Sequence, residues 1–145
     1  MVERCQRAGA AILEEAGVKD VQYHDRLRGW AYPDRKSVRV PTPTTRRRLY
    51  IVAHEAGHVA LNHSGNKPQH RKEYEAEKYA HDALRRHGIS VPKKSTQVAK
   101  WYVARKISQA IRRGAKTIDR ESFTWCRSEL SSVDQQRMKS VVLVS

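Results

Sequence analysis

Leu49-Tyr50-Ile51-Val52-Ala53-His54-Glu55-Ala56-Gly57-His58-Val59-Ala60-Leu61 contains no proline and is mostly apolar, so it reads as a buried helix. Residues four apart share a helix face. His54 and His58 can therefore offer two imidazole nitrogens to one metal ion. Glu55 lies beside that pair, placed to take a proton from water. The run is H-E-x-x-H, and the chemistry it predicts is a zinc hydrolase centre with Glu55 as general base and a third ligand from elsewhere. The competing reading is a structural histidine pair. In that case two His and a Glu in an apolar helix would each need a hydrogen-bond partner, because unpaired buried polar groups are costly. Gly57 costs a helix about 1 kcal/mol against Ala. It is best tolerated where another group must approach closely.

The chain has 145 residues, which fits one domain. Its net charge of +14 comes from 29 Lys and Arg against 15 Asp and Glu. That balance favours acidic partners: nucleic acid, an acidic protein or an anionic surface. A solvated basic surface is the plainer account. Cys5 and Cys126 are the only cysteines and form no C-x-x-C. Neither a disulfide framework nor a cysteine zinc cluster is expected. No apolar run follows the basic residues of the N-terminus, and none approaches the roughly 18 residues that span a membrane. A cytoplasmic location with no membrane partner is the expectation.

The pattern predicts an α+β fold. Val2, Cys5, Ala8, Ile12 and Ala16 give a helical stripe from Val2 to Ala16, stopped by Gly17. Val21–Tyr23, Trp30–Tyr32 and Ser37–Val40 alternate at period two, with turns at Gly29 and at Pro33–Lys36. A small three-stranded antiparallel meander is the expected assembly. Thr44 or Thr45 caps the H-E-x-x-H helix. Arg46-Arg47-Arg48 opposes the dipole of its first turn. An anion or acidic substrate docking there would relieve that cost, as would extension into water. A second helix runs from Gln69 to His87, with Ala76, Tyr79, Ala80 and Ala83 on its apolar face. A third is expected from Ser95 to Arg113. Asp119 caps a fourth, with Ile118 and Phe123 as a hydrophobic staple. The end, Val141–Val144, reads as a strand or a frayed tail.

The third ligand has two sources. His63 does not fit the H-E-x-x-H-x-x-G-x-x-H spacing, where Leu61 and Ser64 hold the glycine and third-histidine positions. Five residues past His58 it would point about 140° away on a continued helix, which leaves it a structural or supporting role. The second helix carries Glu73, Glu75 and Glu77. Its apolar stripe centres nearest Glu73, with Glu75 on the edge and Glu77 further out. Glu73 and Glu77 are an i, i+4 pair. One can bind metal while the other accepts the N–H of a ligand histidine. A solvated acidic cluster balancing Lys72 and Lys78 is the alternative.

The run from Leu49 to His63, with H-E-x-G-H-x-x-L-x-H inside it, is followed by Glu73-Tyr74-Glu75-Ala76-Glu77. Together they resemble the ImmA/IrrE-like metallopeptidases, over roughly residues 1–92. Glu77 stands where that family has Asn or Asp. The resemblance implies a zincin-like fold and a zinc peptidase of the gluzincin type, with His54, His58 and Glu73 as ligands and Glu55 as base. It also implies a bacterial or phage setting and a protein substrate such as a transcriptional repressor. In such enzymes substrate pairs with an exposed strand edge. Val38, Arg39 and Val40 are the expected edge because they lead into the metal helix. Tyr74, His70 and His81 are candidate donors to the transition state, and Tyr74 a substrate contact. The expected organisation is a metallopeptidase core at 1–92, a basic helical extension at 93–130 and a tail at 131–145. The alternative function is a basic DNA- or protein-binding regulatory module with a structural or inactive zinc site. Residues 95–130, with Trp101, Tyr102 and Trp125, would carry it.

Overall fold

Thr45 starts the helix that holds both motif histidines. Its side chain accepts the Arg48 backbone N–H at 3.1 Å, so Thr45 rather than Thr44 supplies the cap. The helix, α2, runs Arg46–Ala60 in a computed structural model that describes all 145 residues. It follows α1 (Val2–Glu15) and three short strands, β1 (Asp20–His24), β2 (Trp30–Tyr32) and β3 (Ser37–Pro41). It precedes α3 (Gln69–Arg86) and α4 (Lys93–Arg112). The chain then forms β4 (Thr117–Asp119), α5 (Arg120–Cys126), α6 (Ser132–Arg137) and β5 (Val142–Val144). The fold is α+β, with six helices. No helix is long and apolar enough to cross a membrane.

The sheet corrects the expected meander. Its order is β1-β3-β2, with β1 parallel to β3 and only β2 antiparallel to it. Val21 and Tyr23 lie opposite Val38 and Val40, and Ala31 lies opposite Val38 from the other side. The hairpin of β2 and β3 is closed by a short 3₁₀ turn at Pro33–Arg35 and by Lys36 in the left-handed region at φ 51°. β1 ends and β2 begins at the same end of β3. The connection from Asp25 to Gly29 therefore crosses that end, and β3 slots between the two. Period-two alternation fixes which face a residue takes; it does not choose the neighbouring strand.

Val38 and Val40 of β3 are buried against α1 and α2. Burial of side chains such as Ile12, Leu49 and Leu84 stabilises this core by about 1.5–3 kcal/mol each. Small residues let α2 and α3 approach closely. A Cβ added at Gly57 would stand 3.0 Å from the Cβ of Tyr79. That is the close approach Gly57 was expected to serve.

A second apolar cluster gathers Val103 and Ile107 of α4 with Ile118, Cys126 and Leu130. α4 begins at Lys93, directly after Pro92, earlier than the expected Ser95 cap. Asp119 caps α5 and accepts the Ser122 N–H at 3.0 Å. The terminal Val141–Val144 stretch does form a strand: Ile118 lies opposite Leu143 in a parallel β4–β5 pair. Ser131 caps α6, a helix the polar tail did not announce.

Candidate metal centre

His54 and His58 lie on the α2 face turned towards α3, where Glu73 meets them. His54 Nε2 and His58 Nε2 are 3.1 Å apart. Glu73 Oε2 lies 3.1 Å from the first and 3.5 Å from the second. This oxygen is buried and has no hydrogen-bond partner. Donors at 2.0–2.1 Å from a tetrahedral zinc stand roughly 3.3–3.4 Å apart. The three atoms have the separation, chemistry and convergence that such an ion requires.

Neighbouring groups fix the direction of each donor. Gln69, one turn earlier on α3, donates from Nε2 to Glu73 Oε1 at 2.9 Å. The other carboxylate oxygen is thereby left for the histidines. Glu77 Oε1 lies 2.5 Å from His54 Nδ1. Its Oε2 accepts the Tyr50 hydroxyl. Burial, then the Glu77 charge, push the Tyr50 phenol far above its ordinary pKa, so Tyr50 stays a donor.

His63 completes the set from an unexpected direction. α2 stops at Ala60, and Asn62 takes a left-handed conformation at φ 52°. His63 N–H then bonds back to His58 O at 3.0 Å, and Asn62 N–H to Val59 O at 3.1 Å. These are the two bonds of a Schellman turn. The turn folds His63 under His58 instead of sending it about 140° away. His63 Nε2 meets Glu75 Oε1 at 2.9 Å, and its Nδ1 meets His58 Nδ1 at 2.9 Å. Burial lowers the His63 pKa despite Glu75, so the ring is neutral. Its one proton, on Nε2, goes to the carboxylate. His63 Nδ1 then accepts from His58 Nδ1–H, and His58 Nε2 keeps a lone pair facing Glu73 and His54.

Two ring nitrogens and a carboxylate oxygen thus converge. They need a positive charge among them: a metal ion, or a proton on His54. Burial opposes a charged His54 ring, but Glu77, Glu73 and Glu55 outweigh it and hold its pKa well above the usual value. Burial likewise opposes the Glu73 charge. The facing His54 and His58 rings outweigh that and hold the carboxyl far below its usual range.

Glu55 is buried and lines the same cleft as the donors, a space of about 500 Å³. Burial pushes its carboxyl pKa up, with His54 and His58 pulling it down less strongly. Gly29 packs directly on it: an added Cβ would fall 2.6 Å from Glu55 Cγ. The cleft has four walls. Leu27 to Ala31 form one, and α2, α3 and the first half of α4 form the others, with Val98 and Tyr102 on α4.

The chain matches no family model, no curated protein and no solved structure. The site therefore stands on its own geometry.

Several expected residues lie elsewhere. β3 is the central strand, paired on both sides, so Val38, Arg39 and Val40 present no open edge to a substrate. The open edge beside the cleft belongs to β2. Glu75 is spent on His63, Lys67 and Arg71 and does not face the donors. Tyr74 packs against Trp125, with ring centroids 5.5 Å apart, outside the cleft. His70 Nε2 accepts the Asp119 N–H at 3.0 Å and ties α3 to β4. His81 bonds Thr96 at 2.9 Å and contacts Tyr50, joining α3 to α4. Neither histidine lines the cleft. Gln69, Tyr50 and Tyr102 were not foreseen at the site. Gln69 alone had a visible signal, its i, i+4 spacing from Glu73.

Proposed function

We propose that the chain is a zinc-dependent peptidase, with His54, His58 and Glu73 as ligands and Glu55 as general base. The observation that carries this is the convergence of three donor atoms at tetrahedral spacing, with a carboxylate of raised pKa beside them on an open cleft. A zinc ion held there would acidify water and polarise a carbonyl. Glu55 takes a proton from the attacking water and returns it to the leaving amine. Burial helps the second half of that cycle, because a carboxyl of raised pKa holds a proton more readily near neutral pH. Gln69 and Glu77 hold Glu73 and His54 in place, and His63 keeps His58 in the tautomer that offers Nε2. The free edge of β2 offers backbone groups to an extended substrate.

This reading agrees with the resemblance to ImmA/IrrE-like metallopeptidases and takes a protein, a repressor by that resemblance, as substrate. It differs on the edge strand, which is β2. α4 forms a wall of the cleft and belongs to the working unit, rather than serving only as a packed extension. A regulatory module with a structural zinc would have no use for Glu55 facing an open cleft.

The test is cleavage of a mixed peptide pool, read by mass spectrometry. Wild-type protein should produce discrete cuts that chelator abolishes. Glu55→Gln should keep its zinc and lose roughly 10² to 10⁴ in rate. Equal cutting by both proteins, or none by zinc-loaded wild type, would sink the proposal.

A further inference from the structure

Each wall of the cleft brings one cation to it: Arg28 from the β1–β2 connection, Arg47 from α2, Lys72 from α3 and Lys94 from α4. None of the four enters an ion pair. A chain of net charge +14 has many unpaired cations. Four arranged around one opening, one per wall, surround whatever enters it. The three arginines at the start of α2 divide accordingly. Arg46 is tied to Ser90 at O (3.3 Å) and Oγ, and of the three only Arg47 lines the cleft.

The cleft interior is different. Its three carboxylates, Glu55, Glu73 and Glu77, are buried at the floor. Apolar side chains also line the cleft, Leu27 exposed at 46% and Val98 at 50%, together with Trp30. An acidic side chain at the centre would meet the floor carboxylates. The same side chain a few residues to either side would meet the rim.

We infer that the cleft selects polypeptide segments with an apolar centre flanked by Asp or Glu, held by Arg28, Arg47, Lys72 and Lys94. This rests on the peptidase reading for the kind of polymer bound. The floor suits a peptide better than a nucleic acid, whose backbone would bring phosphate along its whole length past Glu55.

The test uses zinc-loaded Glu55→Gln protein, which retains the cleft without turnover, and fluorescein-labelled ten-residue peptides. All share an apolar centre and carry Glu, Gln or Lys on both flanks. Fluorescence anisotropy reads binding. An exposed charge pair is worth roughly two- to fivefold in affinity. The Glu peptide should therefore bind at least about tenfold tighter than the Gln peptide, and the gap should close in 1 M salt, where the Debye length falls to about 3 Å. Arg47→Glu combined with Lys94→Glu, both exposed sites, should reverse the order so that the Lys peptide binds best. Unchanged circular dichroism would show that the fold persists in this variant. Equal binding of the Glu and Gln peptides, or none by either, overturns the inference. Displacement of the Glu peptide by a single-stranded oligonucleotide that binds tighter also overturns it. Cleavage by wild type without charge preference would sink this inference and leave the peptidase standing. Charge-selective binding without cleavage would do the reverse.

Discussion

His63 Nδ1 lies 2.9 Å from His58 Nδ1, although the end of a helix separates the two residues. His63 thereby sets which nitrogen of His58 faces Glu73. His63→Ala removes no proposed ligand. It should nevertheless weaken zinc binding about 10- to 100-fold, the usual effect of losing the partner that orients a ligand histidine. Competition against a chromophoric chelator measures this. Wild-type affinity in the variant would show that the contact is incidental.

Glu73 and Glu75 differ by two positions and by everything they touch. Wild-type protein should hold about one zinc per chain. His54→Ala, His58→Ala and Glu73→Gln should each strip it, because two ligands bind zinc poorly. Glu75→Gln should keep the ion with reduced affinity, through His63. Metal analysis after dialysis decides; a zinc-free Glu75→Gln beside a zinc-loaded Glu73→Gln would reverse the assignment.

The charge balance at the centre gives a pH signature. In protein stripped by chelator, the His54 pKa is raised in the folded state. Its stabilising contribution is full below the unfolded value of about 6.5 and disappears as pH rises through the folded one. Glu73 is lowered, so its contribution is present above about 4.3 and is lost as pH falls. Stripped protein should therefore lose stability when pH rises from 6.5 to 9. Zinc binding must displace the His54 proton and strengthens over the same range. The gap in Tm between loaded and stripped protein should widen with pH in calorimetry. A gap that narrows would contradict this account of the cluster.

Gly29 touches the proposed base from outside the motif. In Gly29→Ala the new Cβ would start 2.6 Å from Glu55 Cγ and 3.0 Å from Oε2, so the carboxylate must move. A displacement of about 1 Å can cost 10²-fold in rate. We expect wild-type zinc content with cleavage reduced at least about tenfold. Unimpaired cleavage would mean that Glu55 has room to adjust.

Much of this centre is legible in the sequence because helices convert spacing into direction. His54 and His58 share a face by periodicity, and the Ala76–Tyr79–Ala80–Ala83 stripe turns Glu73 towards them. Thr45 and Asp119 announce their helices through cap chemistry. Where direction depends on tertiary contacts, the sequence is silent. The alternating Val38 and Val40 mark a buried face, yet nothing local makes β3 central or sets β1 parallel to it. His63 escapes helical reasoning because Asn62 turns the chain back. Asn can take that conformation, but the residue type does not compel it. Lys94 and Tyr102 join the cleft only because α4 packs across α3, a contact made partly through His81 and Thr96.

β2 is three residues long, a span of roughly 10 Å. A polypeptide laid along that edge is gripped over about three positions before it must leave the sheet. If the proposed peptidase binds its substrate there, so short a ruler would ask for little unfolding: an exposed linker between two folded domains would be long enough to use it, and the domains on either side could stay intact.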